Sequence, residues 1–201
     1  MNNLSNNALM NVPPVWKENR QGAVSLCYHG LSAPEQEWVL AHHAAVGIRA
    51  SIICEEAEPR LSVVAERNWD LLAGRDDALL RASLSELDGR TERGCFLPDR
   101  QAAVPPGTLY RLGTLEEPIR RPEPDLAKPL PSFSAPPDAG HLLDRTQRTL
   151  ETGDWLILRL HGRCLTGMGP AAHQTLLHRL GDFHARIWCA PVRDIAQWKA
   201  G

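Results

Sequence analysis

Ala23-Val-Ser-Leu-Cys-Tyr28 is a short, mostly apolar run that stops at His29-Gly30, the pattern of a buried strand. The next stretch changes period. Ser32-Ala-Pro-Glu35 supplies an N-cap, a proline in the first turn and a glutamate at N3, which is the capping-box arrangement. Trp38, Leu40, Ala41, Ala44 and Ala45 follow at helical spacing and Gly47 ends the helix. Ile48-Arg-Ala-Ser-Ile-Ile-Cys54 reads as a second strand. The chain therefore opens on a β-α-β unit, whose strands should be parallel and whose crossover should be right-handed.

The same grammar returns near the other end. Asp138 caps a helix running through Leu150 and closed by Gly153, and Trp155-Leu-Ile-Leu-Arg-Leu160 is a strand that again stops at a His-Gly pair, His161-Gly162. A helix over 170–180, a strand over 185–190 and a last helix from Pro191 or Val192 to Lys199 follow. In the middle, Val63 to Leu87 reads as mostly helical with a break near Gly74, Gly94-Cys-Phe-Leu97 as a short strand, and 106–113 as a short helix. The segment 118–137 is so rich in proline that it reads as a surface loop rather than a central strand or long helix. Alternation at both ends predicts an α/β fold with a parallel sheet or barrel, preceded by an irregular arm over 1–21 and filling 22–201 as a single domain.

Composition narrows the function classes. The 22 Lys+Arg against 24 Asp+Glu of this 201-residue chain leave a formal charge of −2, so neither an electrostatic grip on nucleic acid nor a polybasic membrane anchor is expected. No segment approaches about 20 uninterrupted apolar residues, and the first residues lack the pattern of a signal peptide. The five cysteines, Cys27, Cys54, Cys95, Cys164 and Cys189, are widely spaced and odd in number, with no C-x-x-C pair. A reduced, cytoplasmic setting is the expectation.

Candidate chemistry gathers at the two His-Gly strand ends. In parallel α/β folds all strand C-termini lie at one end and ligands bind there, so His29 and His161 are expected to converge. A histidine just past a strand is placed for proton transfer or metal binding. Cys27 lies on the same strand face as His29 and could form a thiolate–imidazole pair, although core packing is the plainer reading. His42, His43, His173, His178 and His184 read as helix-surface residues. Glu55-Glu56 and Asp76-Asp77 read as solvated or capping pairs.

Glu151-Thr-Gly-Asp-Trp-Leu-Ile-Leu-Arg-Leu-His-Gly162 with the later Ile187-Trp-Cys-Ala-Pro-Val-Arg-Asp-Ile-Ala-Gln-Trp198, taken with the opening strand–His-Gly unit, resembles the polysaccharide deacetylase superfamily. The resemblance implies a distorted (β/α) barrel, mostly of parallel strands, that removes acetyl groups from N-acetylated sugars with a divalent metal. It puts Tyr28 and His29 where the family has an acidic pair, Ala73 and Asp77 where it has two ligand histidines, and Phe96-Leu97-Pro98 where it has an arginine two residues before a proline. His161 matches the family's general acid. The resemblance thus implies His161 and Tyr28 as catalytic candidates, His29 and Asp77 as metal ligands, and Leu160 and Pro98 as substrate-lining residues.

Most of the family's metal site is missing from these positions, so no cofactor is the first expectation, with zinc, nickel or cobalt only if the site is rebuilt. The expected function is a degenerate deacetylase-like protein that binds carbohydrate or another partner without catalysis. The alternative is a metal-dependent hydrolase of N-acylated sugars or amines with a remodelled site and His161 as acid. A scaffold using the proline-rich segment as its contact surface is a third class.

Overall fold

Strand β1 (Gly22–His29) has neighbours on both edges, and following the pairings round the sheet leads back to it. The structure is a computed structural model and describes residues 16–75, 77–97, 106–114, 128–134 and 138–200. In chain order the elements after β1 are α1 (Ala33–Val46), β2 (Ser51–Cys54), α2 (Leu61–Glu66), β3 (Asp70–Ala73), α3 (Ala78–Asp88), β4 (Arg93–Phe96), β5 (Thr108–Thr114) and β6 (Leu130–Ser134). Then come α4 (Ala139–Thr152), β7 (Trp155–His161), α5 (Gly162–Met168), α6 (Pro170–Asp182), β8 (Ile187–Cys189) and α7 (Val192–Ala200). Strands β1 to β7 close into a barrel in sequence order, and every pairing is parallel.

Period-2 alternation divides the strand residues between two cores. Ala23, Cys27, Ile53, Leu72, Phe96, Tyr110, Leu112, Leu130, Trp155 and Ile157 pack together inside the barrel. Val24, Leu26, Tyr28, Ile52, Leu71, Leu156, Leu158 and Leu160 face outward and pack on helix residues such as Val39, Leu84, Leu142 and Leu176. Because the strands bury both faces, they read as apolar runs rather than as alternating ones.

The N-terminal end of the barrel is plugged. The first half of β1 pairs with β8 and its last residues pair with β2, so β8 wedges in at the bottom and delivers α7 across the opening. Val192, Ile195 and Ala196 of α7 join the inner core. Asp70, at the start of β3, ties the plug down. It accepts from the Arg193 amide at 3.3 Å, faces the Arg193 guanidinium at 3.8 Å and accepts a hydrogen bond from the Tyr110 hydroxyl. Burial raises the Asp70 pKa, and the opposing pull of Arg193 and Tyr110 only moderates that. With this end closed, the strand C-termini form the mouth.

Several expected elements change. The helix expected over 63–87 is cut by β3, which pairs with β2 in full register: Leu71 and Leu72 are wholly buried, and barrel closure overrides their helical propensity. The helix expected over 106–113 is β5. Within the proline-rich segment, Leu130–Ser134 is a barrel strand rather than surface loop. It tolerates Pro131 because pairing with β7 begins only at Phe133, so the missing N–H precedes the two-sided stretch. Residues 118–127 and 135–137 of that segment lie outside the described residues, as do residues 1–15 of the arm. The end of the arm is anchored through Trp16, whose indole N–H donates to the Gly153 carbonyl at 2.9 Å. Among the described residues no helix is long and apolar enough to cross a membrane.

Candidate functional site

Parallel pairing of β1 with β7 puts His29 directly opposite His161. Both lie on the inward face, one step beyond Cys27 and Arg159, and their rings meet edge to face with centroids 5.2 Å apart. Two glycines permit this approach. Gly30 has φ +63°, and a Cβ there would come within 3.0 Å of His161 Nε2. A Cβ on Gly162 would run into the Gly30 carbonyl oxygen and sit 3.0 Å from Glu35 Oε2.

Hydrogen bonds fix what each ring offers. The Arg163 amide donates to His161 Nδ1 at 3.1 Å, the side-chain cap of α5. A neutral His161 therefore carries its proton on Nε2. Burial, followed by the nearby His29 and Arg163, lowers the His161 pKa, with Glu35 opposing. His29 Nε2 lies 2.9 Å from Glu55 Oε1. A carboxylate only accepts, so His29 donates from Nε2 and in its neutral form keeps Nδ1 as an acceptor. The mouth thus holds one imidazole donor and one imidazole acceptor side by side.

Around this pair, Glu35 is held by the capping box of α1. Its carboxylate accepts from the Ser32 amide at 2.7 Å, the Ser32 hydroxyl at 2.8 Å and the Thr166 hydroxyl of α5 at 2.8 Å. Desolvation would raise its pKa, but these donors outweigh it and hold Glu35 below the usual carboxylate range. Beside Glu55 lies a cavity of about 320 Å³ lined by Gly30, Leu31, Gln36, Glu56 and Arg60 among others. Arg159 stacks its guanidinium over the Phe96 ring at 4.8 Å, and the same ring lies 6.1 Å from that of His29.

Other expected site residues sit elsewhere. Tyr28 faces away from the mouth and is fully buried, which corrects its expected role toward substrate. Its neighbours form a hydrogen-bonded chain that helical spacing alone did not suggest. His43 Nδ1 donates to the Ile48 carbonyl at 2.9 Å, so His43 Nε2 must accept, and the Tyr28 hydroxyl donates to it at 2.6 Å. The Tyr28 oxygen then accepts from His173 Nε2 at 2.7 Å, and His173 Nδ1 accepts from His42 Nδ1 at 3.1 Å. His43 and His173, expected on helix surfaces, are 1% and 0% exposed. Leu160, expected to line a substrate, is likewise outward and fully buried among helix residues. Pro98 lies outside the described residues. Cys27 does face inward below His29, but burial and then Asp70 push its thiol far up, which removes the thiolate reading.

A deacetylase metal needs a set of free donors, and the described residues do not fit one. Asp77 caps α3, accepting from the Leu79 and Leu80 amides at 2.9 and 3.1 Å, and pairs with Arg75 at 3.2 Å. His29 is engaged with Glu55. Among the described residues no three His, Cys, Asp or Glu side chains gather as a metal would require.

Three solved structures share this architecture across their length. A Puue allantoinase superposes with a TM-score of 0.66 at 16% identity, covering 94% of this chain and 93% of the other. A probable polysaccharide deacetylase from Pseudomonas aeruginosa PAO1 gives 0.65 at 15%, covering 92% and 93%. The chain has the polysaccharide deacetylase fold. A putative polysaccharide deacetylase from Mycobacterium smegmatis gives 0.63 at 12%, covering 94% and 93%. No protein-family model and no curated protein matches the sequence. The deacetylase-like barrel is therefore carried by topology and strand order.

Proposed function

We propose that this deacetylase-like barrel binds the secondary amide of an N-acylated sugar or amine at its mouth without hydrolysing it. One observation carries the reading: His161 Nε2 and His29 Nδ1 are both left without a partner among the described residues on two rings with centroids 5.2 Å apart, the first a donor and the second an acceptor when the His29 ring is neutral. An acylamino group presents the complement, a carbonyl that accepts and an N–H that donates. General-acid catalysis asks something else of His161. An imidazolium would carry a proton on Nδ1, facing the Arg163 amide hydrogen already directed there, so protonation breaks the α5 cap. The neutral ring suits recognition better than proton delivery.

A hydrolytic reading draws on the His29–Glu55 pair, in which the carboxylate would orient His29 as a base toward water. A single experiment separates the two. Calorimetric titration with N-acetylglucosamine and with glucosamine, alongside an acetate-release assay with chelator or with added zinc, nickel or cobalt, reads both properties. Binding is expected for the acetylated sugar alone, lost in His161→Ala and His29→Ala, with no acetate released. Acetate release that His161→Ala abolishes would establish the hydrolase instead.

A further inference from the structure

At the mouth, Arg159 is a cation without a counter-charge among the described residues. It lies two residues before His161 on the same inward face of β7, level with the buried Cys27 of β1. Among the described residues its guanidinium has no carboxylate partner and no hydrogen bond: the buried Nε is unsatisfied, and the group rests on the Phe96 ring at 4.8 Å. Stacking on a ring face leaves the edge of the guanidinium, with its forked donors, open to a planar oxyanion. Buried cations elsewhere in the molecule differ. Arg93 is paired with Asp88 at 2.7 Å and Arg193 faces Asp70. A partly buried arginine without a counter-charge is costly unless something else supplies one.

We propose that Arg159 receives a carboxylate carried by the ligand, so that the mouth recognises an N-acylated compound bearing a single negative charge. The inference rests on the amide-binding reading above. Charge selects a carboxylate over a phosphate: Arg159 brings a single positive charge, and Glu35 and Glu55 at the same mouth both repel a dianion. Phe96 sets the geometry, because its ring contacts the guanidinium and also neighbours the His29 ring at 6.1 Å. A ligand spanning from Arg159 to the imidazole pair is thus short, with few bonds between carboxylate and acylamino group.

The test titrates the full chain with N-acetylglycine, with its neutral analogue N-acetylglycinamide and with N-acetylaminomethylphosphonate, followed by calorimetry. N-acetylglycine is expected to bind roughly tenfold or more tightly than the amide, as a charge-assisted bidentate contact gives. Arg159→Met is expected to erase that preference, and Arg159→Lys, which keeps the charge but not the fork, to retain part of it. Equal binding of carboxylate and amide overturns the inference and leaves the amide reading standing. A preference that survives in Arg159→Met, or a phosphonate that binds more tightly than the carboxylate, also overturns it. If none of the three binds the wild-type chain, the inference is overturned, and N-acetylglucosamine decides the amide reading separately: that reading fails only if the acetylated sugar does not bind either. The wild-type comparison needs no variant, so it decides the matter even if Arg159→Met does not fold.

Discussion

Tyr28 and His29 are neighbours in β1, yet they belong to two different histidine-rich regions. On the outer face, His43 and His173 sit at 1% and 0% exposure around the Tyr28 hydroxyl. On the inner face, His29 and His161 meet at the open mouth. The chemistry of the side chains is the same and the solvation is not. In the outer chain both ring nitrogens of His43 and of His173 are used, in a run from His42 through His173 and Tyr28 to His43 and the Ile48 carbonyl, so these rings are parts of the packing. At the mouth, His29 Nδ1 and His161 Nε2 have no partner among the described residues, so each keeps a functional group for a ligand. Burial with full satisfaction makes a strut, and partial exposure with one free nitrogen makes a receptor.

Acid should separate the two regions most sharply. Burial lowers the pKa of both His43 and His173 to about 3, against an unfolded value of about 6.5. A base kept neutral in the folded state gains protons only on unfolding. Its stabilising contribution is therefore complete above about pH 6.5 and is lost progressively as pH falls toward 3. Each imidazole can cost up to roughly 1.4 kcal/mol per pH unit in that window. Urea midpoints between pH 8 and 4 should fall accordingly, while the His43 and His173 Cε1–H resonances should hold still from pH 8 to 5. Resonances that shift near pH 6.5 would show that the outer rings are solvated after all.

Truncation should give the next largest effect. His173→Ala leaves a cavity between α6 and the barrel and strands the Tyr28 hydroxyl and His42, at a cost of about 3 kcal/mol. Tyr28→Phe removes one hydroxyl and leaves two imidazole nitrogens facing apolar carbon, a loss of about 1–2 kcal/mol. Both are read by chemical denaturation at pH 7.5, and neither should change ligand affinity at the mouth. Altered affinity in Tyr28→Phe would mean that the two faces of β1 are coupled.

The barrel is legible in the sequence where strands are bounded by strong punctuation. Gly30, Gly47 and Gly153 mark real ends, and Ser32 with Glu35 is a real capping box. The failures share a cause. β3, β5 and β6 are strands whose state is set by the adjacent strands of the barrel: Asp70 pairs opposite Ser51 and Leu130 opposite Leu112. Such long-range pairing leaves no local trace stronger than helical propensity or a proline. The convergence of His29 and His161 follows from parallel topology alone. The outer histidine chain does not, because helix periodicity says which residues share a face and not that two helices will bury them together. Arg159 does carry a local signal: on a strand, a residue two before His161 must share its face.

The smallest effect is the most telling for the mouth. His161→Ala removes the α5 cap and nothing from the core, since the ring is partly exposed and its structural bond is the one from the Arg163 amide. Loss of a side-chain N-cap costs about 1 kcal/mol. His161→Asn should recover much of that, because an asparagine oxygen can accept from the same amide, yet it presents no imidazole Nε2–H to a ligand. The pair of variants therefore splits stability from recognition: denaturation should rank wild type, Asn, then Ala at narrow spacing, whereas amide binding should be lost in both. If Asn restores binding together with stability, the mouth needs only an intact α5, and the contrast between strut and receptor dissolves.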